Sequence, residues 1–105
     1  SAVATGAVVI ASKDAQLNGL VVARGDFLGL AEGEAVARGT TFEEVAAEVV
    51  ARLLTEPREI VTLLTGADAP DVTALVRSLE ELHAGLEFEV HDGGQPHYPL
   101  LIAAE

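Results

Sequence analysis

The chain has no cysteine, no methionine and no tryptophan, and only four aromatic residues, Phe27, Phe42, Phe88 and Tyr98. Without cysteine there is no disulfide framework and no thiolate chemistry, which suits a reducing compartment. Bases are scarce as well: six Lys and Arg stand against 17 Asp and Glu, for a net charge of −11. They occur singly, at Lys13, Arg24, Arg38, Arg52, Arg58 and Arg77. Nucleic acid demands a basic footprint, so that class of partner is disfavoured, and so is an anionic membrane surface. No apolar run approaches the ~20 residues of a membrane span. The start lacks the basic region of a signal peptide. With no methionine in the chain, Ser1-Ala2 reads as a cloning remnant and the chain as a piece of a longer protein.

What is present is aliphatic. Half of the 105 residues are hydrophobic, enough for one domain that buries roughly two-thirds of the surface of its unfolded chain. Residues 6–12 (GAVVIAS) read as a strand, and Asn18-Gly19 as a turn. Residues 20–38 hold three short apolar pieces, broken at Arg24-Gly25-Asp26 and at Glu32-Gly33-Glu34. The second break resembles a hairpin tip, because Gly33 can take a positive φ. The first third is therefore expected to be small antiparallel strands.

Phe42, Val45, Ala46, Val49, Val50, Leu53 and Leu54 follow the spacing of one helical face. Thr41 and Glu44 suggest a capping box at its start, and Pro57 a stop. Residues 59–65 (EIVTLLT) read as a strand covered on both faces or central in a sheet. A second helix comes next, with Asp68 as its cap, Val72, Leu75, Val76, Leu79 and Leu82 as its apolar stripe, and Gly85 at its C-terminal cap. In 86–91, Leu86, Phe88 and Val90 alternate with Glu87, Glu89 and His91. Strand, helix, strand predicts a βαβ unit with a right-handed crossover. Residues 98–103 form a last strand, which Pro99 places at an edge and the short 92–97 connection places in a hairpin with its predecessor. The fold class is α+β: a mixed sheet of antiparallel N-terminal strands, one βαβ unit and a C-terminal hairpin, with two helices on one face, forming a single domain over 1–105.

Chemistry is hard to find. No phosphate-binding fingerprint is present, and Gly25-Asp26-Phe27-Leu28-Gly29 opens no helix. His91, Asp92 and His97 lie close in sequence and give a remote reading as a metal-dependent hydrolase, without any HxH, HxxxH or HExxH spacing to support it. Ser12 and Ser78 have no neighbouring base, and the paired glutamates lie on polar faces. The densest segment is HDGGQPHYPL, residues 91–100. Gly93, Gly94 and Pro96 are turn formers. His91, Gln95, His97 and Tyr98 are the candidate partner contacts, since tyrosine offers contact area with a hydrogen-bonding end at low entropic cost. Catalytic, cofactor-binding and metal-binding residues are read as none.

Two blocks carry a resemblance: TGAVVIASKDAQLNGLVVARGDFLGLAEGEAV (5–36), and EIVTLLTGAD (59–68) with LEFEVHDGGQPHYPLLIAAE (86–105). Together they resemble the carboxy-terminal end of the fatty acid kinase A subunit family, also described as dihydroxyacetone-kinase-like. The Gly-Gly-Gln-Pro-x-Tyr-Pro block is the specific part, here Gly93, Gly94, Gln95, Pro96, Tyr98 and Pro99. Thr65 stands where an aromatic is common, and Lys13-Asp14 where Arg-Asp is usual. The resemblance implies a final subdomain with DegV-like organisation in a bacterial, cytoplasmic parent. That parent's N-terminal kinase domain holds ATP and magnesium. It phosphorylates a fatty acid presented by a separate DegV-type binding protein, and the acyl phosphate feeds phospholipid synthesis. On this reading the present chain is non-catalytic and engages the carrier. A purely structural or dimerising subdomain that packs on upstream domains of the same chain is the alternative.

Overall fold

The structure is a computed structural model and describes residues 3–105; the expected cloning remnant, residues 1 and 2, lies outside the described residues. Eight strands and two helices occur in the order β1 (Ala4–Ile10), β2 (Ala15–Leu17), β3 (Leu20–Val22), β4 (Phe27–Ala31), β5 (Glu34–Gly39), α1 (Phe42–Leu53), β6 (Ile60–Thr65), α2 (Thr73–Leu82), β7 (Glu87–Asp92) and β8 (Leu100–Ala104). Six strands make one sheet in the order β5-β4-β1-β8-β6-β7, and β2-β3 make a separate hairpin. The class is α+β with a mixed sheet, as the sequence implies. β1, β4 and β5 are antiparallel, and β6-α2-β7 is the expected parallel unit.

Local chemistry places the turns. Asn18 (φ 53°) with Gly19 (φ 80°) and Glu32 (φ 51°) with Gly33 (φ 80°) join β2 to β3 and β4 to β5, the left-handed pairs that match strand twist in two-residue hairpins. α1 begins after Thr41, but the Thr41 side chain makes no capping hydrogen bond, so the expected box does not form. α2 begins later than Asp68: Asp71 is the local acceptor, taking the Thr73 N–H at 2.9 Å and its hydroxyl at 2.7 Å. Those two bonds, the hydroxyl foremost, hold the Asp71 carboxyl below its usual range. Leu82, expected in the apolar stripe, is exposed at the helix end.

Both helices pack on one face of the sheet. Phe42, Val45, Ala46, Val49, Val50 and Leu53 of α1 and Leu75 and Leu79 of α2 share one buried cluster with Val8, Val61, Leu63, Leu100 and Ile102. α1 sits close because Gly6 and Gly29 face it: a Cβ on either would meet a Val49 methyl at 2.6 or 2.5 Å. Val22 of the β2-β3 hairpin, Ala7 and Leu28 are buried outside that cluster. No helix among the described residues is long and apolar enough to cross a membrane.

The last strand differs from the expectation. β8 does not pair with β7 and does not lie at an edge; it is inserted between β1 and β6, antiparallel to both. Pro99 precedes the first ladder residue, so its missing N–H costs no strand bond. LLIAA carries no charge, and Leu100, Ile102 and Ala104 are fully or nearly fully buried, which suits an interior strand. The chain leaving β7 must therefore pass over the end of β6 to reach β8, and the glycine-rich segment makes that crossing.

Candidate functional site

The crossing segment, residues 93–99, is bound to the end of β6 by a set of short-range bonds. The Thr65 carbonyl accepts the N–H groups of Gly93 (2.9 Å) and Gly94 (3.0 Å). Ala67 N–H donates to the Gln95 carbonyl and Gly66 N–H to the Pro99 carbonyl, each at 3.0 Å. The Gln95 side chain completes the latch, its amide nitrogen donating to the carbonyls of Leu64 (3.1 Å) and Tyr98 (2.9 Å). Gly66 is required by proximity: a Cβ there would fall on the Tyr98 carbonyl oxygen. A Cβ at Gly93 would likewise fall on the Gln95 side-chain oxygen.

The latch sets the direction of the next two side chains. His97 is held at φ 70°, a costly conformation for a residue with a side chain. His97 and Tyr98 are thereby turned outward. Together with Ile10 from the end of β1, Ala67 and Asp68 after β6, and the rings of Pro96 and Pro99, they line an open cleft of about 380 Å³. Ile10 is 54% and Tyr98 44% exposed. The lining is thus mixed: Ile10, Ala67 and the two proline rings are apolar, and Asp68, the His97 ring and the Tyr98 phenol supply polar groups. Such a surface suits an apolar side chain of a partner, flanked by a few hydrogen bonds.

Of the four candidate contacts, the structure brings Gln95, His97 and Tyr98 to this cleft and leaves His91 away from it. Gln95 turns inward, and its amide is taken up by the latch. His91 stands on β7, where its Nε2 lies 3.2 Å from Glu89 Oε1. That contact, followed by a Glu87 hydrogen bond, holds the Glu89 carboxyl below its usual range. Gly93, Gly94 and Pro96 lie in the turn, Gly94 at φ 65°. His91, Asp92 and His97 do not converge, and no three His, Asp or Glu side chains among the described residues gather as a metal site would require. Sequence reasoning missed Ile10 and Gly66. Thr65-Gly66 carried a signal, a glycine at a strand end, whereas the approach of Ile10 is set only by the strand order.

The family profile for the C-terminal region of fatty acid kinase A-subunit-like proteins matches residues 1–105, the whole chain. Among curated relatives, uncharacterised proteins of Staphylococcus epidermidis and Staphylococcus aureus are each 30% identical to it, and one of Staphylococcus haemolyticus is 32% identical. Each alignment spans 105 residues and covers 98% of this chain but 19% of the relative. The chain thus spans about a fifth of the length of the curated relatives it matches.

Proposed function

This chain belongs to the C-terminal family of fatty acid kinase A-subunit-like proteins, and on that premise we propose that it is a non-catalytic docking domain that engages a DegV-type fatty acid-binding protein for a kinase forming acyl phosphates. The observation that carries the reading is the latched loop. A latched turn presents Tyr98 and His97 to solvent beside Ile10 of β1, so little ordering entropy is lost when a partner binds them. Loops on a fixed scaffold commonly serve recognition in this way. The side chains here do not suit ATP and magnesium: among the described residues there is no glycine-rich loop opening a helix and no carboxylate cluster to coordinate the metal. In this reading both are held by parts of the protein outside these 105 residues.

Calorimetric titration of the chain with the carrier tests the proposal. Tyr98→Ala with His97→Ala is expected to weaken binding about tenfold or more, since buried tyrosines are frequent anchors, while Arg52→Ala, beside Ala4 at the other end of β1, leaves it unchanged. Absence of heat with the unaltered chain, or full affinity in the double variant, contradicts the assignment.

A second reading has its own observation. Val9, Leu30, Leu64, Leu101 and Ala103 are only partly buried and alternate with the strand residues that face the helices, so they stand on the sheet's other side. Packing of that face on other parts of the parent, or on a second copy, would make the domain structural. Concentration-dependent sedimentation of the isolated chain without affinity for the carrier supports this second reading.

A further inference from the structure

The sheet has two outer strands, and they are not equivalent. β5 carries a register shift opposite Gly29/Leu30, and Asn18 in the β2-β3 turn donates from its side-chain amide to the Ala35 carbonyl (3.0 Å) and to Glu34 (3.1 Å). That edge is bulged and partly capped, as protected edges are. β7 has neither device. It pairs with β6 alone, residue for residue from Glu87 to Asp92, with no shift and no proline. Glu87 N–H donates to the Glu59 carbonyl and Gly93 N–H to the Thr65 carbonyl. By alternation, the amides and carbonyls of Phe88, Val90 and Asp92 face outward, away from β6.

Side chains on this edge are sorted by face. Towards the helices, Val90 is 43% exposed. It borders a cleft of about 350 Å³ lined also by Val72, Thr73, Val76, Arg77 and Glu80 of the α2 region. On the other face stand Glu87, Glu89 and His91, with the His91 ring Nε2 3.2 Å from Glu89 Oε1. An incoming strand would therefore meet an apolar slot on one side and, on the other, the Glu87 carboxylate and a Glu89 carboxylate already in contact with His91.

We propose that the outer edge of β7, with the cleft between it and α2, is a strand-addition site for an extended protein segment that alternates basic and apolar residues. Main-chain bonds to Phe88, Val90 and Asp92 provide affinity, and the alternation provides specificity. Lysine or arginine pairs with Glu87 and Glu89 across the strands, and small apolar side chains enter the slot beside Val76 and Val90. Charge decides the occupant: a second copy brings the same carboxylates and a net charge of −11, whereas a basic segment complements them. The site is separate from the loop cleft and does not depend on the cleft's role.

The test uses the full chain and a capped peptide of about nine alternating Lys and Val residues, long enough to span β7. Controls are the same composition arranged as a Lys block and a Val block, and an alternating Glu/Val peptide. Hydrogen exchange followed by NMR should show the Phe88, Val90 and Asp92 amides slowed about tenfold or more at saturation. The block and Glu/Val peptides should bind at least about tenfold more weakly. Glu87→Lys with Glu89→Lys should reverse the preference towards the Glu/Val peptide. Val90→Pro, which removes an outward N–H and leaves the β6 ladder intact, should weaken strand addition without changing the fold's circular dichroism. Unslowed outward amides at saturation, or equal binding of the block peptide, overturns the proposal. So does self-association of the free chain that protects these same amides.

Discussion

Gln95 is the residue whose role changes most between sequence and structure. In the sequence it is a polar side chain at a loop tip, suited to a partner. In the structure its amide satisfies two backbone carbonyls at once, and the residues around it inherit their geometry from that clamp. Gln95→Ala is therefore expected to destabilise the fold by about 1–2 kcal/mol, chiefly by stranding the partly buried Leu64 carbonyl. Gln95→Glu should cost more at neutral pH, because a carboxylate would then face two carbonyl oxygens. Urea unfolding measures both. Asp26 offers a second test at this scale. It is only 6% exposed and accepts the Ala23 N–H at 2.9 Å and an Arg38 Nη2 hydrogen bond at 3.0 Å. The Ala23 bond, opposed by burial and aided by Arg38, holds its carboxyl below the usual range. A depressed folded-state value contributes stability that is present above the unfolded value of ~3.9 and lost as pH falls through the folded one. The urea midpoint should thus fall as pH drops below about 4, and that of Asp26→Asn should fall less over the same interval.

At the scale of elements, the contact between α1 and the sheet depends on two missing methyl groups. Gly29→Ala should cost about 1–3 kcal/mol by overpacking against Val49. The double variant with Val49→Ala should recover part of that loss, read from denaturation midpoints, because the tightest contact is then removed while a Val45 methyl stays at 3.0 Å. Helix α1, the parallel β6-α2-β7 unit and both hairpin turns were legible because period and turn chemistry are local properties. Thr41 and Asp68 misled because a capping residue type marks only where a helix could start. At Thr41 the hydroxyl stays unused, and near α2 Asp71 lies closer to the helix and takes the bond. Pro99 misled for a different reason: proline excludes a ladder donor at its own position and leaves the next residue free to enter the middle of a sheet. Strand order is a long-range property, and nothing in 98–103 says that β8 passes between β1 and β6.

For the whole molecule, that one insertion explains the candidate site. Because β8 lies beside β6 on the side away from β7, the connection must cross β6, and the Gly-Gly-Gln-Pro-x-Tyr-Pro block is the crossing. The block was legible as a turn with an outward tip. Its latch and its neighbour Ile10 were not, since both require knowing which strand end lies beneath. The acidity, a net charge of −11, was legible from composition. The central claim is that the latched loop is where the carrier docks. Its most direct test is an NMR footprint of a DegV-type fatty acid-binding protein on the isotope-labelled chain. Saturable shifts centred on Ile10, Ala67, Asp68 and residues 96–98 are the predicted result. Shifts confined to the helical face, or none with the carrier in excess at about 100 μM, would contradict it.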